Sequence, residues 1–198
     1  MKLRYLATVV LLVLTTVAAH AQSQGNVGLY FNPIATRVSN SVADTGPFAF
    51  LGANSKSQYF VGFDLGGFYD FFHTTSLDTG LDVRYSDQHA NNAALHGFNI
   101  GLRVAGHPFA RPIKPYAVAS FGYGTTKAPN STVTVKKVDY GIFGGVDYTL
   151  ARHVDFRAIE VGYGSLTTVS SATVGAGGNV AIPASKLLSF SSGLVFRF

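Results

Sequence analysis

Hydrophobic and polar residues alternate along most of this chain with a period of two. In residues 77–86, Leu77, Thr79, Leu81, Val83 and Tyr85 share one face, and Asp78, Gly80, Asp82, Arg84 and Ser86 share the other. In residues 96–105, Phe98, Ile100, Leu102 and Val104 oppose Gly97, Asn99, Gly101 and Arg103. Residues 59–72 set Tyr59, Val61, Phe63, Leu65, Tyr69 and Phe71 against Phe60, Gly62, Asp64, Gly66, Phe68 and Asp70. Successive side chains of a strand point to opposite faces, so each segment predicts a strand with one apolar face. Five more strands follow over 26–37, 115–125, 137–149, 154–164 and 185–198. In 115–125 the faces are ambiguous, because Ala117, Val118, Ala119 and Ser120 are all small or apolar. In 137–149, Ile142, Val146 and Tyr148 oppose Asp139, Phe143 and Asp147. Arg157 and Glu160 are three apart and fall on opposite faces of a regular strand. A β-bulge near Ala158 would return both to one side.

The pattern predicts an all-β chain of eight strands, and the connections differ in character. Those at 38–56, 87–94, 126–136 and 165–184 are polar or rich in Ser, Thr, Gly and Asn. The breaks at 73–76 and 150–153 are short, and 106–114 is intermediate, stiffened by Pro108 and Pro112. An even strand number, with long loops at one end and short turns at the other, is the layout of an antiparallel up-and-down transmembrane β-barrel. The last strand carries Phe190, Leu194, Phe196 and the terminal Phe198 on one face, interrupted at Ser192, with Ser189, Ser191, Gly193 and Arg197 opposite. Closing a barrel requires this strand to pair with the first, because an open edge in hydrocarbon leaves backbone groups unsatisfied.

Alternation alone does not say which face meets lipid, since a soluble lipocalin-type barrel has the same period. The polar face decides it. Asp64, Asp82, Arg84, Asn99, Arg103 and Asp147 lie near strand centres among glycines. The lumen of eight strands is just wide enough for side chains to fill, and charges of both signs there can pair. Asp64, Asp78, Asp82, Arg84, Asn99, Arg103, Asp147, Arg157 and Glu160 are therefore the expected polar network of the lumen, with Arg103 paired to Asp82 or Asp78. Leu81, Val83, Phe98, Ile100 and Leu102 are expected to face lipid.

Composition sharpens this picture. Charged residues are 13% of the chain, about half the usual share. Beyond the amino-terminal segment, however, no apolar run approaches the ~18 residues of a spanning helix. The 22 glycines, 16 phenylalanines and 10 tyrosines suit a barrel with an aromatic belt, which must do without tryptophan. At the other end, Met1-Lys2-Leu3-Arg4, an apolar Leu6–Val17 stretch and Ala19-His20-Ala21 predict a signal peptide over 1–21. The expected barrel domain is 22–198. The chain has no cysteine, which excludes disulfides, a lipoprotein anchor and thiolate metal sites. Its net charge of +5 forms no basic run, so no nucleic-acid partner is expected.

Four segments carry a family resemblance. They are Pro115-Tyr116-Ala117-Val118, Gly144-Gly145-Val146-Asp147-Tyr148, Arg152 through Glu160, and Gly193-Leu194-Val195-Phe196-Arg197-Phe198. With the layout, they resemble the small eight-stranded bacterial outer-membrane proteins of the OmpA transmembrane-domain and OmpX type, within the broad outer membrane protein beta-barrel family. The resemblance implies a monomer in the outer membrane, surrounded by lipid and lipopolysaccharide. It implies a last strand (Phe190, Leu194, Phe196, Phe198) read by the insertion machinery during assembly. No periplasmic peptidoglycan-binding domain of the OmpA kind is expected. The expected role is structural or surface-interacting, through extracellular loops above a charged, largely plugged lumen. The alternative is a narrow pore for small solutes or ions, followed by a lipid A-modifying enzyme and a soluble binding barrel.

Candidate chemistry is sparse. No histidine is followed by a serine two residues on, the spacing of a barrel deacylase, and His107 and His153 fall in expected periplasmic turns. His96 with Asp87 and Ser86 is the one cluster from which a hydrolase could be assembled, and a solvated loop histidine is the plainer reading. His89 and His96 are seven residues apart, a spacing that does not suggest a metal site. The expectation is no enzyme, no cofactor and no metal.

Overall fold

The computed structural model describes residues 26–43, 49–106, 113–169 and 184–198. The expected signal peptide, the turn around His107, Pro108 and Pro112, and most of the 165–184 connection lie outside them. The strands are β1 (Val27–Ser39), β2 (Ser57–His73), β3 (Leu77–Ala90), β4 (Ala93–Gly106), β5 (Ile113–Lys127), β6 (Thr134–Ala151), β7 (Val154–Leu166) and β8 (Ser185–Arg197). Each pairs antiparallel with its sequence neighbours, and β1 pairs with β8 to close the barrel. The seam runs from Gly28↔Arg197 to Ser39↔Lys186, and the Phe198 N–H donates to the Val27 carbonyl at 2.9 Å. No sheet edge is left open, which is what a strand-built membrane protein requires.

The strands are 13 to 18 residues long, more than the ~9–11 needed to cross a bilayer. Their ends therefore project beyond the apolar band. That band covers the outside: Leu81, Val83, Phe98, Ile100 and Leu102 are all exposed, as expected of lipid-facing positions. Tyr85, Phe98 and Tyr123 are successive cross-strand partners towards one rim. Ile113, Tyr148, Phe156 and Leu194 are successive partners towards the other. The ambiguous strand resolves in β5: Tyr116, Val118, Ser120 and Thr126 are buried inside, and Ala117, Ala119, Phe121 and Tyr123 face out.

The bulge expected near Ala158 is present. Val146 pairs with Ile159 and Asp147 with Arg157, leaving Ala158 unmatched. Arg157 and Glu160 are consequently both buried in the lumen. A second bulge lies in β2, where Asp70 pairs with Gly80 and Phe72 with Thr79, so Phe71 and Phe72 both face out.

One connection differs from expectation. The polar stretch 87–94 is not a loop: β3 and β4 continue through it, and Ala90 pairs with Ala93. The turn is Asn91-Asn92 alone, with φ of 44° and 63°. Two-residue hairpins of the primed type need positive φ at both positions, and asparagine tolerates that region better than other side chains. Polar composition resembled a loop because both faces of this hairpin lie beyond the apolar band. The longer connections, 40–56, 128–133 and 167–184, do share one end, and the turns 74–76 and 152–153 share the other.

Candidate functional site

The lumen is filled in two layers. At mid-barrel, Arg84 and Glu160 form a bidentate pair, with Nη1 at 3.0 Å from Oε1 and Nη2 at 3.2 Å from Oε2. Arg84 Nε donates to Asp82 at 3.0 Å, and Asp64 lies 3.7 Å from its Nη1. Arg157 Nε donates to Asp147 at 3.0 Å, and its Nη1 reaches Glu160 at 3.4 Å. The Arg157 guanidinium lies between the rings of Tyr30 and Tyr116, 4.5 Å from each centroid. Tyr30 donates to Asp82 at 3.1 Å, and Tyr116 to Glu160 at 2.7 Å. Buried charges are tolerated only when paired and hydrogen-bonded, and here β1, β3, β5, β6 and β7 each supply a partner. The space comes from glycine. A Cβ on Gly145 would lie 2.5 Å from the Tyr116 hydroxyl and 2.7 Å from the Ile159 carbonyl.

Below this layer, Arg103 donates from Nη1 to both Asp70 oxygens at 2.8 and 2.7 Å, and stacks 3.9 Å from the Phe68 centroid. Nearer the short turns, Asp155 takes Arg197 and, at 3.1 Å, Lys114. Above it, Asn99 donates to Asp139 at 2.9 Å. At the long-loop end the lining becomes apolar. Val38, Phe60, Leu95 and Leu166 close around Phe50 and Leu51 of the β1–β2 connection and Val169 of the β7–β8 connection. Phe50 stacks on Phe60 at 4.7 Å.

The expected network is therefore assembled for Asp64, Asp82, Arg84, Asp147, Arg157 and Glu160, with Asn99 just above and Arg103 just below. Two expectations are corrected. Arg103 pairs with Asp70, not with Asp82 or Asp78, because Arg103 and Asp70 are both cross-strand partners of Gly80 on β3, and the two side chains meet over a position that has none. Asp78 sits at the short-turn end, 2.7 Å from His73 Nδ1, away from the mid-barrel layer. Asp70 stands on the polar face of its strand in the sequence but outside the expected set of lumen charges. Tyr116 could not be placed, since the faces of β5 were unreadable.

The hydrolase cluster is not assembled. Asp87 and His96 are direct cross-strand partners on the outer face. Ser86, their neighbour in β3, points to the opposite side and lines the lumen beside Gly97. The spacing argument against a metal also fails. The Asn91-Asn92 turn folds His89 back towards His96, with ring centroids 5.8 Å apart, and Asp87 Oδ1 lies 3.3 Å from His89 Nδ1 and 3.2 Å from His96 Nδ1.

No family model and no curated protein matches the chain. Its architecture does match solved structures. Neisserial surface protein A superposes with a TM-score of 0.58 at 14% identity, over 87% of this chain and 97% of that one. Ail, the attachment invasion locus protein of Yersinia pestis, superposes with a TM-score of 0.52 at 12% identity, over 88% and 99%. The fold is that of the small eight-stranded outer-membrane β-barrels.

Proposed function

We propose that this protein resides in the bacterial outer membrane as a closed, monomeric, non-enzymatic barrel that acts through its extracellular loops. The observation that carries the reading is the double closure of the lumen, by the Arg84–Glu160–Arg157 layer and by Phe50 and Leu51 above it. A pore would need a continuous water-filled path; the charged layer fills it and the apolar layer caps it. The segments left to meet a partner are the connections 40–56, 128–133 and 167–184, which join strands longer than the apolar band needs. Two barrels of the same fold are named as a surface protein and an attachment protein, which agrees with that reading.

Residues 1–21 act in this proposal as a cleaved export signal. Phe190, Leu194 and Phe196, in register with β1 and β7, and Phe198 just past the strand are exposed and form the segment that the insertion machinery reads. Lipid and lipopolysaccharide surround the belt. Fractionation of cells expressing the chain tests the proposal. The protein is expected in the outer-membrane fraction, lacking residues 1–21, and shifting in gel mobility on boiling. External protease should cut intact cells' protein within 40–56 or 167–184. Recovery in the soluble periplasmic fraction, or loops cut only after the outer membrane is opened, would overturn it.

A further inference from the structure

The tip of the β3–β4 hairpin carries three side chains that the lumen does not use. Asp87, His89 and His96 each offer one ligand atom, and all three atoms lie within 4.8 Å of one another. They stand on the outer face, two positions beyond Tyr85 and Phe98 of the apolar band, where water is available. Asp87 and His89 are two apart on one face of β3, and His96 is the direct partner of Asp87. The backbone register thus fixes all three, and a two-residue turn holds the register.

The contacts are not ordinary hydrogen bonds. Asp87 Oδ1 lies 3.2 Å from His96 Nδ1, yet both atoms are enclosed and neither has a hydrogen-bond partner. Two enclosed polar atoms that face each other unsatisfied call for a third group between them. The separations fit one. Ligands held at ~2.0–2.1 Å around a tetrahedral ion stand about 3.3 Å apart. Asp87 Oδ1 lies at 3.3 and 3.2 Å from the two imidazole nitrogens. His89, 63% exposed along its side chain, is free to swing the last distance inward.

We infer that Asp87, His89 and His96 form a surface site for a divalent transition-metal ion, with two imidazoles and one carboxylate as ligands. Imidazole selects zinc, copper or nickel over magnesium or calcium, which take oxygen ligands. Three protein ligands leave one position open to water or to an outside donor. The ion links β3 to β4 across the hairpin tip.

Zinc titration of the refolded, full-length barrel in detergent by calorimetry tests this. One Zn2+ per barrel is expected, together with a higher melting temperature in its presence, because a ligand bound only to the folded state stabilises it. His89→Ala should weaken binding by more than tenfold; losing even a supporting partner of a ligand costs roughly 10–100-fold. His96→Ala and Asp87→Asn should do the same, and His73→Ala, at the opposite rim, should leave binding unchanged. His89 is mostly exposed, so its variant will fold, and mobility on unboiled gels checks that. Wild-type protein that takes up no zinc at micromolar concentrations, or a His89→Ala/His96→Ala variant that binds as wild type does, overturns the assignment.

Discussion

At mid-barrel the lumen is filled by Arg84, Arg157, Asp82, Asp147 and Glu160, each held by a charged partner, with Arg84–Glu160 and Arg157–Asp147 joining different strands. At the long-loop mouth it is filled by Val38, Phe50, Leu51, Phe60 and Leu166, which pack against one another. The two layers fail differently. A charge removed from the first leaves its partner buried and uncompensated. A ring removed from the second leaves a void that the connection can partly collapse into. The charged layer is therefore rigid and intolerant, and the apolar layer is a stopper that can be lost without unravelling the barrel.

Arg157→Met should produce the largest effect. It takes the hydrogen-bonded arginine from Asp147, takes one of two arginines from Glu160, and empties the gap between Tyr30 and Tyr116. Urea unfolding in lipid vesicles should register a loss of about 3–5 kcal/mol. A variant that unfolds at the wild-type urea concentration would mean that the mid-barrel layer contributes no more than a surface pair.

Phe50→Ala comes next. It removes the ring stacked on Phe60 and should cost about 3 kcal/mol, the low end for a buried phenylalanine, because the β1–β2 connection can settle into the space. Protease susceptibility within 40–56 should rise while heat-modifiable mobility persists. Loss of that mobility would show that the stopper is needed for the barrel itself.

The smallest effect falls on Asp64→Asn. Asp64 is buried, 3.7 Å from Arg84, and neither of its oxygens has a hydrogen-bond partner. Its removal should shift stability by less than ~1 kcal/mol, since the attraction lost is offset by the desolvation avoided. A loss equal to that of Arg157→Met would make Asp64 a full member of the layer and erase the distinction between its members.

The two layers also differed in how far the sequence revealed them. Every charge at mid-barrel occupies an inward position of a strand, so period-two alternation found Asp64, Asp82, Arg84 and Asp147 directly. Arg157 and Glu160 needed only the bulge at Ala158, which their three-residue spacing announced. What alternation could not supply was the register between strands. Arg103 meets Asp70 because Gly80 pairs with both, a match across three strands that no local pattern encodes. The stopper was illegible for a different reason. Phe50, Leu51 and Val169 lie in connections with no period, and they acquire an inside only once the barrel mouth exists. The hairpin tip was misread because seven residues of separation between His89 and His96 become direct proximity across an Asn91-Asn92 turn.

If the barrel is closed as proposed, mid-barrel charge closes it even without the stopper. Single-channel recording in planar bilayers tests both parts, using wild-type protein beside a Phe50→Ser/Leu51→Ser variant. Neither is expected to give unitary conductance steps, because Arg84, Arg157 and Glu160 still bridge the lumen when its mouth is opened. Stable, reproducible steps from the wild-type barrel would contradict closure and restore the pore.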